Sequence, residues 1–174
     1  MPHPTVITFT GLPATGKSTA ADRLARDLST PAFSGDWLLG ALKPHGVLTG
    51  LDRPTLLAMY YDLLTTLITR QLMLGQSAIV DCLINDEIAT RWQSLATEHD
   101  AHFLAVECIL PDEPEHRRRL ATRARAIPGW HEVPWSHVAR MRAEYPPLTV
   151  PHLPLNALNP IEDNLALVHQ ALTD

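Results

Sequence analysis

Residues Gly11–Thr19 match the pattern G-x-x-x-x-G-K-[ST] at every fixed position. The preceding residues 5–10 are β-branched or aromatic, which predicts a buried strand, and residues 18–28 have the composition of a helix. A strand, a glycine turn and a helix N-terminus in this order gather backbone N–H groups at the positive end of a helix dipole, where phosphates bind. Lys17 is expected to reach the β- and γ-phosphates, and Ser18 is expected to hold Mg²⁺. The sequence therefore predicts an ATP site formed by Gly11, Pro13, Ala14, Thr15, Gly16, Lys17, Ser18 and Thr19.

Asp36 follows the short predicted strand Ala32–Ser34 and is a candidate general base. In a parallel α/β sheet, ligands bind beyond the carboxyl ends of the strands, so this carboxylate is expected near the γ-phosphate. Phosphoryl transfer to a hydroxyl needs a carboxylate that positions the nucleophile and accepts its proton. The alternative is that Asp36 is the N-cap of a brief helix over residues 37–42. Its position alone does not decide between the two roles.

Asp81 lies at the end of a second apolar run, Ser77–Cys82, which predicts another strand. An acid in this place typically contacts Mg²⁺, either directly or through water. Two alternatives stay open, since Asp81 could cap the following turn or contact the substrate.

A group of arginines follows the fourth predicted strand. Arg119 and Arg123 are four residues apart, which places them on one face of a predicted helix. They precede a helix break at Ile127–Pro134, where a mobile lid would hinge. Such arginines can neutralise the charge that develops on a transferred phosphoryl group, and we expect this role for Arg123. Arg117 and Arg118 are better explained as a solvated basic face.

The elements that must position these residues alternate between strand and helix, which predicts βαβ units and a parallel sheet. The predicted strands are 5–10, 32–34, 77–82, 103–110 and a last one within the proline-rich stretch 146–154. The predicted helices are 18–28, 37–42, one from the cap Asp52 to Gly75, 86–98, one capped by Asp112 that includes Arg117 to Arg125, 135–145, and one opened by Asn159 that ends at Leu172. We expect a three-layer α/β/α sandwich around a five-stranded parallel sheet, in a single domain over residues 1–174. A helical lid is expected at roughly residues 119–145; its aromatic residues either close over substrate or pack the lid against the body (Trp130, Trp135 and Tyr145).

The composition narrows the class of protein. With 174 residues, of which 45% are hydrophobic and 19% charged, the chain is expected to be globular. It shows neither an apolar run that could span a membrane nor a secretory leader pattern, so we expect a soluble cytoplasmic protein. Cys82 and Cys108 are expected to be buried thiols, and the nine histidines show no metal-ligand spacing. The net charge of −5 argues against a nucleic-acid partner.

Taken together, these residues resemble the P-loop kinases of the AAA-type ATP-binding group that includes chloramphenicol phosphotransferase and the kinase domain of phage polynucleotide kinase. The resemblance covers nearly the whole chain and rests on the phosphate loop, Ser34-Gly-Asp36, Val80-Asp81 with Arg91-Trp92 after it, and Arg119-Leu-Ala-Thr-Arg123. It implies the P-loop NTPase fold, with Asp36 as general base and with Arg119 and Arg123 binding ATP phosphates. Polynucleotide kinases carry an arginine where this chain has Leu39, and members often carry an aspartate where it has Asn156.

These observations predict a kinase, dependent on ATP and Mg²⁺, that phosphorylates a hydroxyl of a small molecule such as an antibiotic, a sugar or a nucleoside. Asp36, Lys17 and Arg123 are the expected catalytic residues, and Ser18 and Asp81 the expected metal ligands. The acceptor pocket is expected to be formed by the loop 43–53 and the lid. The alternatives are a polynucleotide 5′-hydroxyl kinase, which Leu39 and the net charge disfavour, and a nucleotide-dependent switch or ATPase without an acceptor.

Overall fold

Five parallel strands form one sheet in a computed structural model that describes residues 3–173. The strands are β1 Thr5–Thr10, β2 Ala32–Ser34, β3 Ala78–Asp81, β4 His102–Ile109 and β5 Leu153–Asn156, and their order is β2-β3-β1-β4-β5. The helices are α1 Lys17–Leu28, α2 Gly35–Leu42, α3 Arg53–Met73, α4 Asp86–Glu98, α5 Glu113–Thr122, α6 Trp135–Glu144 and α7 Ile161–Ala171, with a short 3-10 helix at Lys43–His45. The predicted α/β fold with a five-stranded parallel sheet is confirmed.

Helices cover both faces of this sheet, because the central strands are apolar on both sides. On one face, Leu64 and Ile68 of α3 pack with Trp92 of α4. On the other face, Leu24 of α1 packs with Val168 of α7. These side chains are fully buried between the sheet and the helices, and the helices form the outer layers of the three-layer sandwich.

The register of the strands places the candidate acids side by side. Asp81 at the end of β3 lies opposite Phe9 of β1 and Ser34 of β2. Asp36 comes two residues after Ser34, in the first turn of α2. The carboxyl ends of β1, β2 and β3 therefore bring the phosphate loop, Asp36 and Asp81 to one edge of the sheet.

Three helix starts follow from side-chain caps. Asp52 accepts a hydrogen bond from the Thr55 amide at 2.8 Å, and Asp112 accepts one from the Glu115 amide at 2.9 Å, as the sequence predicts. Asn85 caps α4 in the same way, with the Ile88 amide at 3.0 Å.

Four predicted boundaries differ from the structure. Helix α5 ends at Thr122, so Arg123 and Arg125 are not on a helix. Arg123 has an extended backbone (φ −73°, ψ 146°), and it therefore does not share a helical face with Arg119.

Helix α2 begins at Gly35 with Ser34 as its N-cap, so Asp36 is not the cap. Helix α7 has Pro160 rather than Asn159 at the N-cap. Strand β5 begins only at Leu153, because residues 153–156 are the ones that pair with β4. The other strand and helix limits shift by at most two residues, and the 3-10 helix Lys43–His45 follows α2 in a stretch predicted to be a loop.

Cys82 and Cys108 are both buried and are not joined by a disulfide. Across residues 3–173, no helix combines the length and the hydropathy that a membrane crossing requires.

Candidate active site

The phosphate loop owes its shape to glycine at two positions. Gly11 has φ +137°, and a Cβ placed on it would lie 2.4 Å from the Cys108 carbonyl oxygen, so no larger residue fits there. Gly16 has φ +88° and is the N-cap of α1, and no side chain caps the free amides of this helix. Thr15 is buried and braces the turn by donating from Oγ1 to the Leu12 carbonyl at 2.8 Å. The result is a turn whose backbone amides and helix dipole suit a phosphate.

His116 holds the phosphate loop in place through a hydrogen bond to its backbone. This side chain of α5 has no exposed surface, and its Nε2 lies 2.7 Å from the Pro13 carbonyl oxygen, to which it donates. Its Nδ1 is then an acceptor and lies 3.4 Å from the Arg142 guanidinium of α6. Burial lowers the pKa of His116 below its ordinary value, so the ring is neutral near pH 7. No sequence pattern marks His116, because its contact with Pro13 joins positions 103 residues apart.

Asp81 is nearly buried between β1 and β2. Ser34 donates to its Oδ2 at 3.3 Å, while Oδ1 is buried without a hydrogen-bond partner among the described residues. Burial raises the pKa of Asp81, and Lys17 and the Ser18 hydroxyl act in the opposite direction. The carboxylate is thus held beside the lysine of the phosphate loop with one oxygen free to bind.

The oxygen donors at this place fit Mg²⁺. Ser18 supplies a hydroxyl next to Asp81, whose Oδ1 lacks a partner. Within residues 3–173 there is no cluster of three His, Cys, Asp or Glu side chains that would enclose a metal by itself. Mg²⁺ is commonly held by one or two protein oxygens together with substrate phosphates and water, so a single carboxylate and a hydroxyl are sufficient.

Asp36 contacts the predicted lid directly. Arg125 Nη1 forms an ion pair with Asp36 Oδ2, and Arg125 Nη2 donates to the His131 carbonyl oxygen at 3.1 Å. Glu132 accepts a hydrogen bond from the Arg125 amide at 2.9 Å, and its Oε2 lies 3.0 Å from Arg123 Nε in an ion pair. Burial, followed by the charge of Arg125, lowers the pKa of Arg123. Glu132 therefore holds both lid arginines beside Asp36, and neither Glu132 nor the Arg125 contact is visible in the sequence.

Residues 123–134, which are part of the predicted lid, lie on α2 with almost no space between the two backbones. A Cβ on Gly40 would come within 2.4 Å of the Pro128 carbonyl oxygen, and a Cβ on Gly129 within 2.2 Å of the Gly40 carbonyl oxygen. Lys43 stacks over the Trp130 ring at 5.5 Å from its centroid. Glycine at both positions is what allows the lid to approach α2 this closely.

Two cavities meet at the phosphate loop. The first, of about 350 Å³, lies between the loop, α2, α3 and α6, and the second, of about 600 Å³, runs along the N-terminus of α1 beside the end of α5. Asp36 lines the first cavity and not the second, whereas Ser18 and Thr19 line the second and not the first. Both cavities are lined by Lys17, Ser34, Asp81, Arg123 and Arg125.

A third cavity, of about 250 Å³, continues from the second toward the loop after β5. Arg119 lines both cavities, donates to the Ala157 carbonyl at 3.0 Å and pairs with Glu115 at 2.7 Å.

Arg117 and Arg118 are both exposed, and each is paired with an acid of its own helix. Arg118 also lines the second cavity.

The two departures from the family pattern have different surroundings. Leu39 is buried and lines the first cavity. Asn156 stabilises the turn after β5, since its Oδ1 accepts from the Leu158 amide at 2.9 Å and its carbonyl accepts from Asn164 Nδ2 at 2.9 Å.

Comparison with known proteins agrees with the fold described above. Residues 6–148 match the AAA domain family. Among solved structures, a proposed kinase from Chloroflexus aurantiacus superposes with a TM-score of 0.70 at 23% identity, over 97% of this chain and 98% of the other. A gluconokinase from Sinorhizobium meliloti superposes with a TM-score of 0.70 at 16% identity, over 99% and 94% of the two chains. The APS kinase CysC of Mycobacterium tuberculosis, in complex with AMPPNP and APS, superposes with a TM-score of 0.64 at 19% identity over 100% of both chains. No curated protein matches the sequence significantly.

Proposed function

The chain belongs to the AAA domain family, and from this premise we propose that it is a kinase that transfers the γ-phosphate of ATP to a hydroxyl of a small molecule. The observation that carries the proposal is the meeting of two cavities at Lys17, Asp81 and the lid arginines. A phosphate-binding loop with one cavity requires only a nucleotide, whereas a second cavity that contains a carboxylate provides room for an acceptor. The second cavity therefore supports a kinase over a nucleotide-dependent switch.

In this proposal the triphosphate lies in the second cavity against the phosphate loop, and the nucleoside extends past Arg119 into the third. The gluconokinase and the APS kinase named above are kinases of small molecules, and the APS kinase structure contains an ATP analogue. The finer likeness to chloramphenicol phosphotransferase and polynucleotide kinase stays a prediction. Leu39 in the wall of the first cavity, together with the net charge of −5, argues against a polynucleotide acceptor.

The proposed reaction is an in-line displacement at the γ-phosphorus. The acceptor hydroxyl lies in the first cavity, its proton passes to Asp36, and its oxygen forms a new bond to phosphorus. The bond between phosphorus and the β–γ bridging oxygen breaks at the same time, and ADP leaves with that electron pair. In this proposal Lys17 and Arg123, which line both cavities, neutralise the negative charge on the transferred group. Ser18 and Asp81 would hold Mg²⁺, which neutralises charge on the β- and γ-phosphates.

We further propose that the chain works as a single domain in the cytoplasm, with residues 119–145 as its lid. ATP and Mg²⁺ are available in that compartment, and Cys82 and Cys108 would stay reduced there.

The direct test is a screen of hydroxyl compounds by ADP release, with the product identified by mass. A compound that gains one phosphate and consumes one ATP supports the kinase. ATP hydrolysis that no acceptor accelerates, with no phosphorylated product, would favour the switch or ATPase instead.

Gly40→Ala is expected to impair closure of the lid. Alanine normally stabilises a helix relative to glycine by about 1 kcal/mol, but here its methyl group meets the Pro128 carbonyl. We expect kcat and the acceptor KM to worsen together by about tenfold each, as for lid variants generally. Steady-state kinetics measures this, with Ala41→Ser in the same helix as control. Unchanged kinetics would mean that the lid contact on α2 has no role in turnover.

Glu132→Gln is expected to lower kcat by about tenfold, because the amide keeps the size of the side chain but loses the charge that holds Arg123 and Arg125. The affinity for ATP should change less, since the phosphate loop is intact. Rapid-quench or steady-state kinetics with Glu98→Gln, an exposed acid of α4, provides the comparison. Equal rates in the two variants would show that Glu132 does not position the arginines for catalysis.

A further inference from the structure

Part of the wall of the first cavity is apolar. Leu56, Leu57 and Tyr60 line it from one face of α3, because they are three and four residues apart, and Met141 of α6 lines the same cavity. A polyhydroxylated sugar would leave several of its hydroxyls without partners against these side chains, which is costly. This part of the cavity suits a hydrocarbon or aromatic body.

A cationic group also lines the first cavity. It consists of Arg53, His137 and Arg140. Arg53 is paired with Glu144, whereas no carboxylate of residues 3–173 lies within ion-pair distance of Arg140. Arg140 Nη2 donates to His137 Nδ1 at 2.8 Å, which leaves the other ring nitrogen of His137 as an N–H donor. Burial and the charges of nearby Arg140, His131 and Arg53 lower the pKa of His137, so its ring stays neutral. An unneutralised guanidinium beside an imidazole N–H is a donor pair suited to an anionic oxygen.

The distance between this cationic group and the reacting end follows from α3. Arg53 lies near His137, since its charge acts on that ring, and it is seven residues from Tyr60 in the helix, which corresponds to about 10 Å along the helix axis. Tyr60 marks the reacting end, because its hydroxyl lies directly against Gly35, the neighbour of Asp36. The cavity volume of about 350 Å³ is that of about a dozen water molecules, so it accommodates a compact molecule rather than a polymer.

We propose, on the basis of the proposed kinase function, that the acceptor is an amphipathic alcohol with an anionic group about 10 Å from the hydroxyl that is phosphorylated. The hydroxyl lies at Asp36, the hydrocarbon or aromatic body lies between α3 and α6, and the anion binds Arg140 and His137. Carboxylate and phosphonate share the chemistry that this donor pair recognises, so both belong in the test.

The test is calorimetric binding of three matched probes to the full chain: para-(hydroxymethyl)phenylpropanoate, its primary amide, and the phosphonate of the same length. The wild type is expected to bind the anions about tenfold more tightly than the amide, the usual effect of one charged hydrogen bond. Arg140→Gln removes this preference, Arg140→Lys retains part of it, and the control Arg26→Gln, an exposed charge on α1, leaves it unchanged. Circular dichroism of each variant verifies folding.

Equal binding of acid and amide, persistence of the preference in Arg140→Gln, or no binding of any probe overturns the proposal. If only the phosphonate binds more tightly than the amide, the anion is a phosphate-like group. If both anions bind more tightly than the amide, a carboxylate is sufficient for recognition. ADP release with ATP is measured separately. Selective anion binding without phosphoryl transfer would refute the kinase function but keep the anion site in the first cavity. Efficient phosphorylation of neutral polyols would support the kinase function and refute the anion site.

Discussion

Lys17→Ala is expected to lower kcat by about 10³-fold or more while the protein stays folded. The ammonium group lines both cavities at the point where they meet, so it can act on the phosphoryl group throughout its transfer. Its side chain is not part of either apolar cluster, so its loss costs little core packing. ADP release measures the rate, and circular dichroism with urea unfolding measures the fold.

The control for this prediction is Lys43→Ala, since these two residues are the only lysines of the chain. Lys43 contacts Trp130 and His131 of the lid, so its loss should change kinetics only a few-fold. Turnover in Lys17→Ala close to that of the wild type would remove the assignment of the phosphate loop as the ATP site.

Asp36→Asn is expected to reduce phosphoryl transfer by about 10²–10⁴-fold, the usual share of general-base catalysis. The amide keeps the shape of the carboxylate but accepts no proton at neutral pH. The affinity for ATP with Mg²⁺ should change only a few-fold, because Asp36 does not line the second cavity. Calorimetry gives that affinity, and turnover with the identified acceptor gives the rate.

Asp36→Asn also removes the ion pair with Arg125, so the loss of the general base has to be distinguished from the loss of this contact. Arg125→Gln breaks the same contact and leaves the carboxylate in place, so a loss of rate due to lid positioning alone would be equal in the two variants. We expect Asp36→Asn to be the more severe. Turnover retained in Asp36→Asn would exclude the general-base role, and a parallel loss of Mg²⁺-dependent ATP affinity would indicate a metal ligand.

The sequence was sufficient for the features that depend on local pattern. Strand β1 and helix α4 have the predicted limits, because an apolar β-branched run and a capped amphipathic run are local signals. The end of α5 was wrong, since Arg123 to Arg125 favour a helix by composition while their contacts with Glu132 require an extended chain. Strand β5 was placed too early because pairing with β4, and not hydrophobicity, defines where it begins.

The site could be predicted only in part for a similar reason. The positions of Asp36 and Asp81 after strands indicate the reacting edge of the sheet, because parallel strands end at one edge. His116 contacts a carbonyl 103 residues away, and Arg125 contacts Asp36 at a separation of 89 residues. Contacts between residues so far apart in the sequence follow no periodic pattern, so they can be identified only in the folded structure.

His116 has a thermodynamic consequence. It contacts the Pro13 carbonyl of the phosphate loop on one side, and Arg142 and the Trp135 ring of helix α6 on the other. It thus connects the phosphate loop to α6, which lines the first cavity. A ligand that displaces α6 therefore changes the free energy of the loop, and a ligand at the loop changes that of α6. Linkage makes the two effects equal: the factor by which nucleotide alters acceptor affinity is the factor by which acceptor alters nucleotide affinity. Replacing His116 with a residue that makes neither contact would bring that factor toward one, whichever ligand is titrated first.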